Sequence, residues 1–233
     1  MGGGSRVRPH EYEEARVRLL SDIHAVNSHI GDNPEMYLDQ RIVCVRLEST
    51  FGAESHGSSS ILSVSDELKF VGGRKYAVRG DRQQVSMGAR GEENRPELAK
   101  LYFLRTTSRG IGDLEKALLK DTGRSKAWRN EIMSIRSLDF LAIEEKVLGF
   151  DGGWETEAVE VVLHPFEGGE VAAIDLFCRV SGLGAEKIKA RTYRHGITYI
   201  AACMPRETVM SVARINPLRT VRPLGRLSFE PVL

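Results

Sequence analysis

Between Glu157 and Arg222 the sequence runs through six elements whose order leaves few folds open. TEAVEVVLHPF is rich in Val and reads as a strand. GGEVAAIDLFCRVSGLG reads as a short helix closed by glycine. KIKARTYRHGITYIAACM reads as two strands around an exposed turn. PRETVMSVARI is a second short helix, and NPLRTVRPLGRL a last strand. A βαββαβ order of this size is the split βαβ, or ferredoxin-like, unit. That unit carries many activities, so its presence alone decides no function.

The preceding half repeats the order without repeating the residues. Residues 9–31 form an amphipathic helix: Leu19, Ile23, Val26 and Ile30 make one apolar stripe, Pro9 suits the first turn, and Gly31-Asp32-Asn33-Pro34 ends it. Arg41 to Glu48 is a strand. Thr50 to Ser65 is Ser-rich, a loop with a short helix. Glu67 to Arg79 is strand-like around Gly72-Gly73, a pair that suggests a bulge or a close backbone approach. Residues 80–99 are charged and read as a solvated loop, and Lys100 to Thr107 is the next strand. Gly112 to Lys120 is a helix. Asp121 to Asn130 is a loop anchored by Trp128, and Glu131 to Val147 holds one strand and a flanking turn. The expected fold is therefore α+β: two consecutive ferredoxin-like (βαββαβ) units with an N-terminal amphipathic helix. The boundaries read 1–8, a linker containing MGGGS and excluded from the fold; 9–31, the helix; 37–149, an N-terminal α+β domain; 156–226, the ferredoxin-like domain; and 227–233, a C-terminal tail. FDGGWE, residues 150–155, is the joint, with Trp154 as a packing residue.

Composition removes several classes. A net charge of +1 over 233 residues gives no global electrostatic case for nucleic acid or an acidic membrane surface. No apolar run approaches the roughly 18 residues of a membrane helix. Cys44, Cys178 and Cys203 are widely spaced inside apolar segments. They suggest small-hydrophobe packing in a reducing, cytoplasmic compartment. No CxxC or Cys/His cluster suggests a metal, and Gly72-Gly73 lacks the lysine and helix start of a phosphate loop, so no cofactor is expected.

Two triplets imitate protease motifs. Asp121-Thr122-Gly123 looks like a subtilisin aspartate motif and His195-Gly196-Ile197-Thr198 like a blurred histidine motif. Their contexts are wrong. Asp121 follows the charged helical segment LEKALLK where that family has an apolar strand, and His195 lies at a turn between two strands where that family starts a helix. No Gly-Thr-Ser nucleophile segment exists. A motif stands only with its structural context, so the chain alone is not expected to be an enzyme. His10, His56 and His164 read as surface or cap residues. His164, Glu167 and Arg194 are the best raw material for an enzymatic site and form no known constellation. Arg214, Arg219, Arg222 and Arg226 form a loose basic run. Of these, Arg219, Arg222 and Arg226 are candidate partner contacts, with a charged strand edge that discourages pairing as the plainer reading.

The blocks EAVEVVLHPF, SVARINPLRTVRPLG, RIVCVRLESTFGAES, FVGGRKY and KLYFLRTT, spread over residues 37–226, resemble the N-terminal, propeptide-like region of bacterial intracellular subtilisin-like (S8 family) serine peptidases. The resemblance implies that a ferredoxin-like sheet packs on two helices of a subtilisin-like catalytic domain. It also implies that the C-terminal tail lies in the substrate cleft as a product-like inhibitor, and that the region speeds folding of that domain. Genes of this group often neighbour an AAA-type ATPase in phage-defence settings, so the resemblance implies such an ATPase as a second partner.

The tail suits that role on its own chemistry. Leu227 to Leu233 extended at roughly 3.3 Å per residue spans several subsites, and Pro231 biases its neighbours to extended backbone, the geometry for strand addition to a cleft edge. Glu230, Pro231, Val232 and Leu233 are the expected cleft residues, with Leu233 on the acyl side of a self-cut. The alternative is a chain end of no proteolytic meaning. A rival reading is a free-standing ferredoxin-like module that binds RNA or protein. The aromatic pair on adjacent strands that an RNA-recognition sheet needs is not evident in the sequence, although Tyr193 and Tyr199 flank the turn.

Overall fold

The computed structural model describes residues 11–48, 59–77, 98–120, 123–193 and 196–224. Among these residues the strands form two four-stranded sheets, ordered β2-β3-β1-β4 and β6-β7-β5-β8. In each the first and third strands are central and the second and fourth are edges. That is the ferredoxin-like arrangement, and the protein is an α+β chain of two such units. The compact units are discontinuous: residues 1–28 with 43–139, and residues 29–42 with 140–233. Where the sequence suggests a domain over 37–149, residues 37–42 and 140–149 group with the second unit.

In the first unit α1 (Tyr12–Asp32) buries Ala15, Leu19, Ile23 and Val26. Its polar side also reaches the fold, since the Leu138 N–H donates to Asp22 at 2.9 Å. β1 (Arg41–Leu47) is buried along Ile42–Val45, as a central strand must be. It pairs antiparallel with β4 (Ile135–Asp139), where Arg46 and Asp139 form a 2.7 Å ion pair. β2 (Lys69–Ala77) and β3 (Leu98–Thr106) pair with a register shift between Phe70 and Gly72. That is the bulge expected of the glycine pair: Gly72 has φ 136°, and a Cβ on Gly73 would sit 2.8 Å from the Leu101 carbonyl oxygen. α2 (Ser59–Leu62) is the short helix expected in the Ser-rich stretch. β3 begins at Leu98 and buries Ala99, two residues earlier than the sequence suggests.

α3 (Ser108–Leu119) starts four residues before the expected Gly112, because the Thr107 hydroxyl accepts from Gly110 N–H and caps the helix. The expected loop around Trp128 is instead a helix, α4 (Lys126–Ser134). Ser125 caps it, accepting from Trp128 N–H at 3.1 Å, and Trp128 and Ile132 lie one turn apart and buried. Of the strand and flanking turn expected in 131–147, the strand is β4, and α5 (Ile143–Lys146) takes part of the remainder.

The second unit follows the expected order closely. β5 (Thr156–Leu163), α6 (Glu170–Ser181), β6 (Lys189–Thr192), β7 (Thr198–Pro205), α7 (Arg206–Val212) and β8 (Leu218–Pro223) succeed one another. Gly182 ends α6 at φ 69°, the left-handed stop that glycine provides. Alternate strand positions Val159, Val161, Leu163, Ile200, Ala202 and Met204 are buried, as are Leu176, Phe177, Val209 and Val212 of the helices. His164 is buried at 1% exposure rather than a surface or cap residue, because its backbone N–H donates to the Pro217 carbonyl at 2.8 Å and ties the end of β5 into the fold. The cysteines also divide: Cys44 is buried, Cys178 intermediate and Cys203 exposed, the last because β7 alternates faces. In the joint, Trp154 stacks on Phe150 with centroids 4.2 Å apart. No helix of the described residues is long and apolar enough to cross a membrane.

Candidate functional site

The second sheet turns one set of side chains inward and leaves the other set as a face. Strand alternation puts Ala158, Glu160 and Val162 of β5 on that face. Register then sets their neighbours. Glu160 lies between Ala201 and Arg222, Val162 between Tyr199 and Thr220, and Ala158 opposite Cys203. β6 extends the rows, with Lys189 beside Ala201 and Arg191 beside Tyr199. Ala158, Cys203, Lys189 and Arg191 are exposed, and Tyr199 is 37% exposed.

At the β6–β7 end the tyrosines gather. Tyr193 and Tyr199 meet edge to face with centroids 5.4 Å apart, and the Arg191 guanidinium lies 4.9 Å from the Tyr193 ring centre. The turn that brings them together is closed by Tyr193 N–H to the Ile197 carbonyl at 2.9 Å and Gly196 N–H to the Tyr193 carbonyl at 2.8 Å. Gly196 takes φ 79° there. A turn between strands was the context that argued against a histidine motif; His195 itself lies outside the described residues, as does Asp121.

At the β8 end the face is rimmed and its edge covered. The Thr220 hydroxyl donates to the Lys146 carbonyl at 3.0 Å. Val147 bridges Val221 in parallel, and Leu148 N–H donates to the Val221 carbonyl at 3.0 Å. β8 therefore does not present a bare edge at Val221. Arg222 is committed across the sheet to Glu160 at 2.8 Å, with its side chain still 57% exposed. Arg219 sits half-buried on β8. Arg226 and the tail residues Glu230, Pro231, Val232 and Leu233 lie outside the described residues.

The inventory of this face is small side chains, two tyrosines, a guanidinium–carboxylate pair and flanking lysine and arginine. These supply contact area and orientation rather than proton transfer. Among the described residues no group of three or more His, Cys, Asp or Glu gathers as a metal site. The tyrosine pair was legible as two aromatics flanking a turn. Its register with Arg191 and Lys189 needed the strand pairing.

No protein-family model matches the chain, and no curated protein matches it. Among solved structures, the chain is similar to one described as a glycine cleavage system transcriptional repressor, at 12% identity over 71% of this chain and 80% of that one, with a TM-score of 0.23. At that score the similarity does not bear on function.

Proposed function

We propose that the chain is the non-catalytic N-terminal region of a subtilisin-like serine protease and acts as its folding chaperone and inhibitor. The observation that supports this reading most is the face of the second sheet that carries no helix among the described residues. Ala158, Ala201 and Cys203 are short enough to let a partner helix approach the strands closely, and Tyr199 supplies an anchoring ring. In this reading the face docks on the catalytic domain, and residues 227–233, which follow β8, enter its cleft with Glu230–Leu233 in the subsites. Arg219 and Arg226 contact the same partner. An AAA-type ATPase acts with the pair in a cytoplasmic, phage-defence setting. The parent protein is the serine endopeptidase; this chain contributes no catalytic group.

The test is inhibition of the separately produced catalytic domain by the whole chain. Inhibition near equimolar ratio, lost on removal of 227–233, supports the reading. Equal inhibition without the tail refutes the cleft role, and no inhibition by the intact chain refutes the partnership.

One observation favours a second reading. The Tyr193–Tyr199 pair with Arg191 and Lys189 alongside is a stacking platform with cations beside it, suited to single-stranded RNA. RNA binding that weakens with salt and is lost in Tyr199→Ala would favour this reading.

A further inference from the structure

A groove of about 590 Å³ lies within the second unit, between residues 30–41 and α6, from Gly169 at the helix start to Arg179 in its last turn. One wall is apolar, formed by Ile30, Leu38, Phe166 and Ala172. The remainder carries charge. Arg41 and Arg179 both line it, and neither has a carboxylate within salt-bridge distance among the described residues. Arg179 donates to the Glu35 carbonyl at 3.3 Å, a neutral partner.

The helix end at this groove is also uncapped. Gly169 occupies the N-cap position and has no side chain to offer, so the first-turn N–H groups of α6 are not closed by a cap. The Glu170 carboxylate, which could fold back, stands instead against Gly196. Two residues of the wall hold buried polar atoms without a hydrogen-bond partner, Gln40 Oε1 and Arg41 Nε. The Gln40 amide cannot be flipped to cure this, because its Nε2 donates to the Glu167 carbonyl at 3.2 Å. A small rotation of either side chain into the groove satisfies it once the groove holds a ligand with both a donor and an acceptor.

Charge selects the ligand. Two guanidinium groups, Arg41 and Arg179, and one carboxylate, Asp39, line the groove, a net charge of one positive unit. The balance suits a single negative charge with an N–H donor near it, not a phosphate dianion. The apolar wall suits an aliphatic side chain. We propose that this groove binds an α-carboxylate carrying an apolar side chain and an α-nitrogen donor, as in a free aliphatic amino acid or the carboxy-terminal residue of a peptide. The carboxylate sits at Arg41 and Arg179; the α-nitrogen faces Asp39 and Gln40; the side chain lies on Leu38 and Phe166. This site does not depend on the protease partnership.

The experiment is calorimetric titration of the whole chain with leucine, N-acetyl-leucine, leucinamide and 4-methylpentanoate. Leucine or N-acetyl-leucine is expected to bind saturably, with leucinamide about tenfold weaker or worse, since a charge-assisted bidentate contact is lost. Preference for leucine identifies a free amino acid as the source, and equal or better binding of N-acetyl-leucine identifies a peptide end. Arg179→Gln, on an exposed helix position, is expected to weaken binding about tenfold without changing the melting temperature. Equal binding of leucine and leucinamide, unchanged affinity in both Arg41→Gln and Arg179→Gln, or no saturable binding of any of the four compounds overturns the proposal.

Discussion

Asn216 holds the Ile42 peptide from both sides: its Oδ1 accepts from Ile42 N–H at 2.7 Å and its Nδ2 donates to the Ile42 carbonyl at 2.8 Å. The side-chain amide thus stands in for a neighbouring strand. The backbone joins in, with Asn216 N–H donating to the Met36 carbonyl at 2.9 Å. Asn216 is 7% exposed, so water cannot readily replace these bonds. Asn216→Ala leaves both Ile42 groups unmatched at about 1–3 kcal/mol each and is expected to cost about 2–4 kcal/mol in urea denaturation. Asn216→Asp keeps the acceptor but sets a carboxylate oxygen against the Ile42 carbonyl, so it should fare no better. Wild-type stability in the alanine variant would show that the clamp contributes nothing.

The glycine pair of β2 gives a second steric test. Gly73 has no room for a methyl group: the added carbon would lie 2.8 Å from Leu101 O and 3.1 Å from Tyr102 Cδ1. The obstruction at Leu101 is backbone and cannot rotate away. Gly73→Ala is expected to lower stability by about 1–3 kcal/mol, read as a drop in melting temperature. Gly31→Ala serves as the control, since no atom lies within 4 Å of its added carbon.

These two positions mark what sequence could and could not reveal. Gly72-Gly73 stood out because glycine inside a strand pattern has a local cause, and the stripe Leu19–Ile23–Val26–Ile30 because one helix repeats one period. The βαββαβ order of the second unit was legible for the same reason: each element carries its own period or stop signal. α4 was missed because its nine residues hold two buried apolar anchors, Trp128 and Ile132, and a serine cap that also fits a loop. Asn216 was invisible because its partner lies 174 residues away and is a backbone group, which carries no sequence signal. The open face was half legible. Alternation sorted the residues of each strand, but which rows meet across β6, β7, β5 and β8 is fixed only by register.

Asp22 should reveal itself by pH. Burial holds its carboxyl above the ordinary 3.8, opposed by the Leu138 N–H and Arg18, while Asp139 adds to the rise. A raised carboxyl disfavours the ionised form in the fold. Its charge therefore weakens the protein at neutral pH, and the penalty disappears as pH falls below 3.8. Asp22→Asn keeps an oxygen for Leu138 and sheds the charge. It is expected to melt higher than the parent at pH 7 and at the same temperature at low pH. A lower melting point at pH 7 would show that attraction to Arg18 outweighs desolvation.

Two half-buried phenols bear on stability at alkaline pH. Burial holds Tyr37 and Tyr76 above their ordinary 10.0, with Arg41 opposing at Tyr37 and Arg136 and Arg46 at Tyr76. Their neutral forms are favoured in the fold, so their contribution is complete below pH 10 and is lost as pH rises beyond it. Tyr37→Phe is expected to flatten the alkaline fall in stability. Tyr76→Phe should flatten it too, at a uniform loss of about 1 kcal/mol for the 3.0 Å bond to the Leu47 carbonyl. An unchanged alkaline slope in both variants contradicts the burial argument.

The open face is tested by charge and size rather than by truncation. Cys203 and Tyr199 are exposed, so changing them should leave folding intact while altering what can dock. Cys203→Arg places a long cation where the face is otherwise shallow beside Ala158, and Tyr199→Ala removes the anchoring ring. If the face packs on helices of a subtilisin-like domain, each variant is expected to inhibit that domain about tenfold less well or worse, the loss typical of an interface anchor. Melting temperature should stay within a degree or two, on the order of a surface change. A protease that ignores both substitutions yet still loses inhibition when 227–233 is removed would assign the whole interaction to the tail. The sheet would then be a carrier, and its tyrosines would be left to the RNA reading, where Tyr199→Ala alone abolishes binding and Cys203→Arg, by adding a cation, strengthens it at low salt.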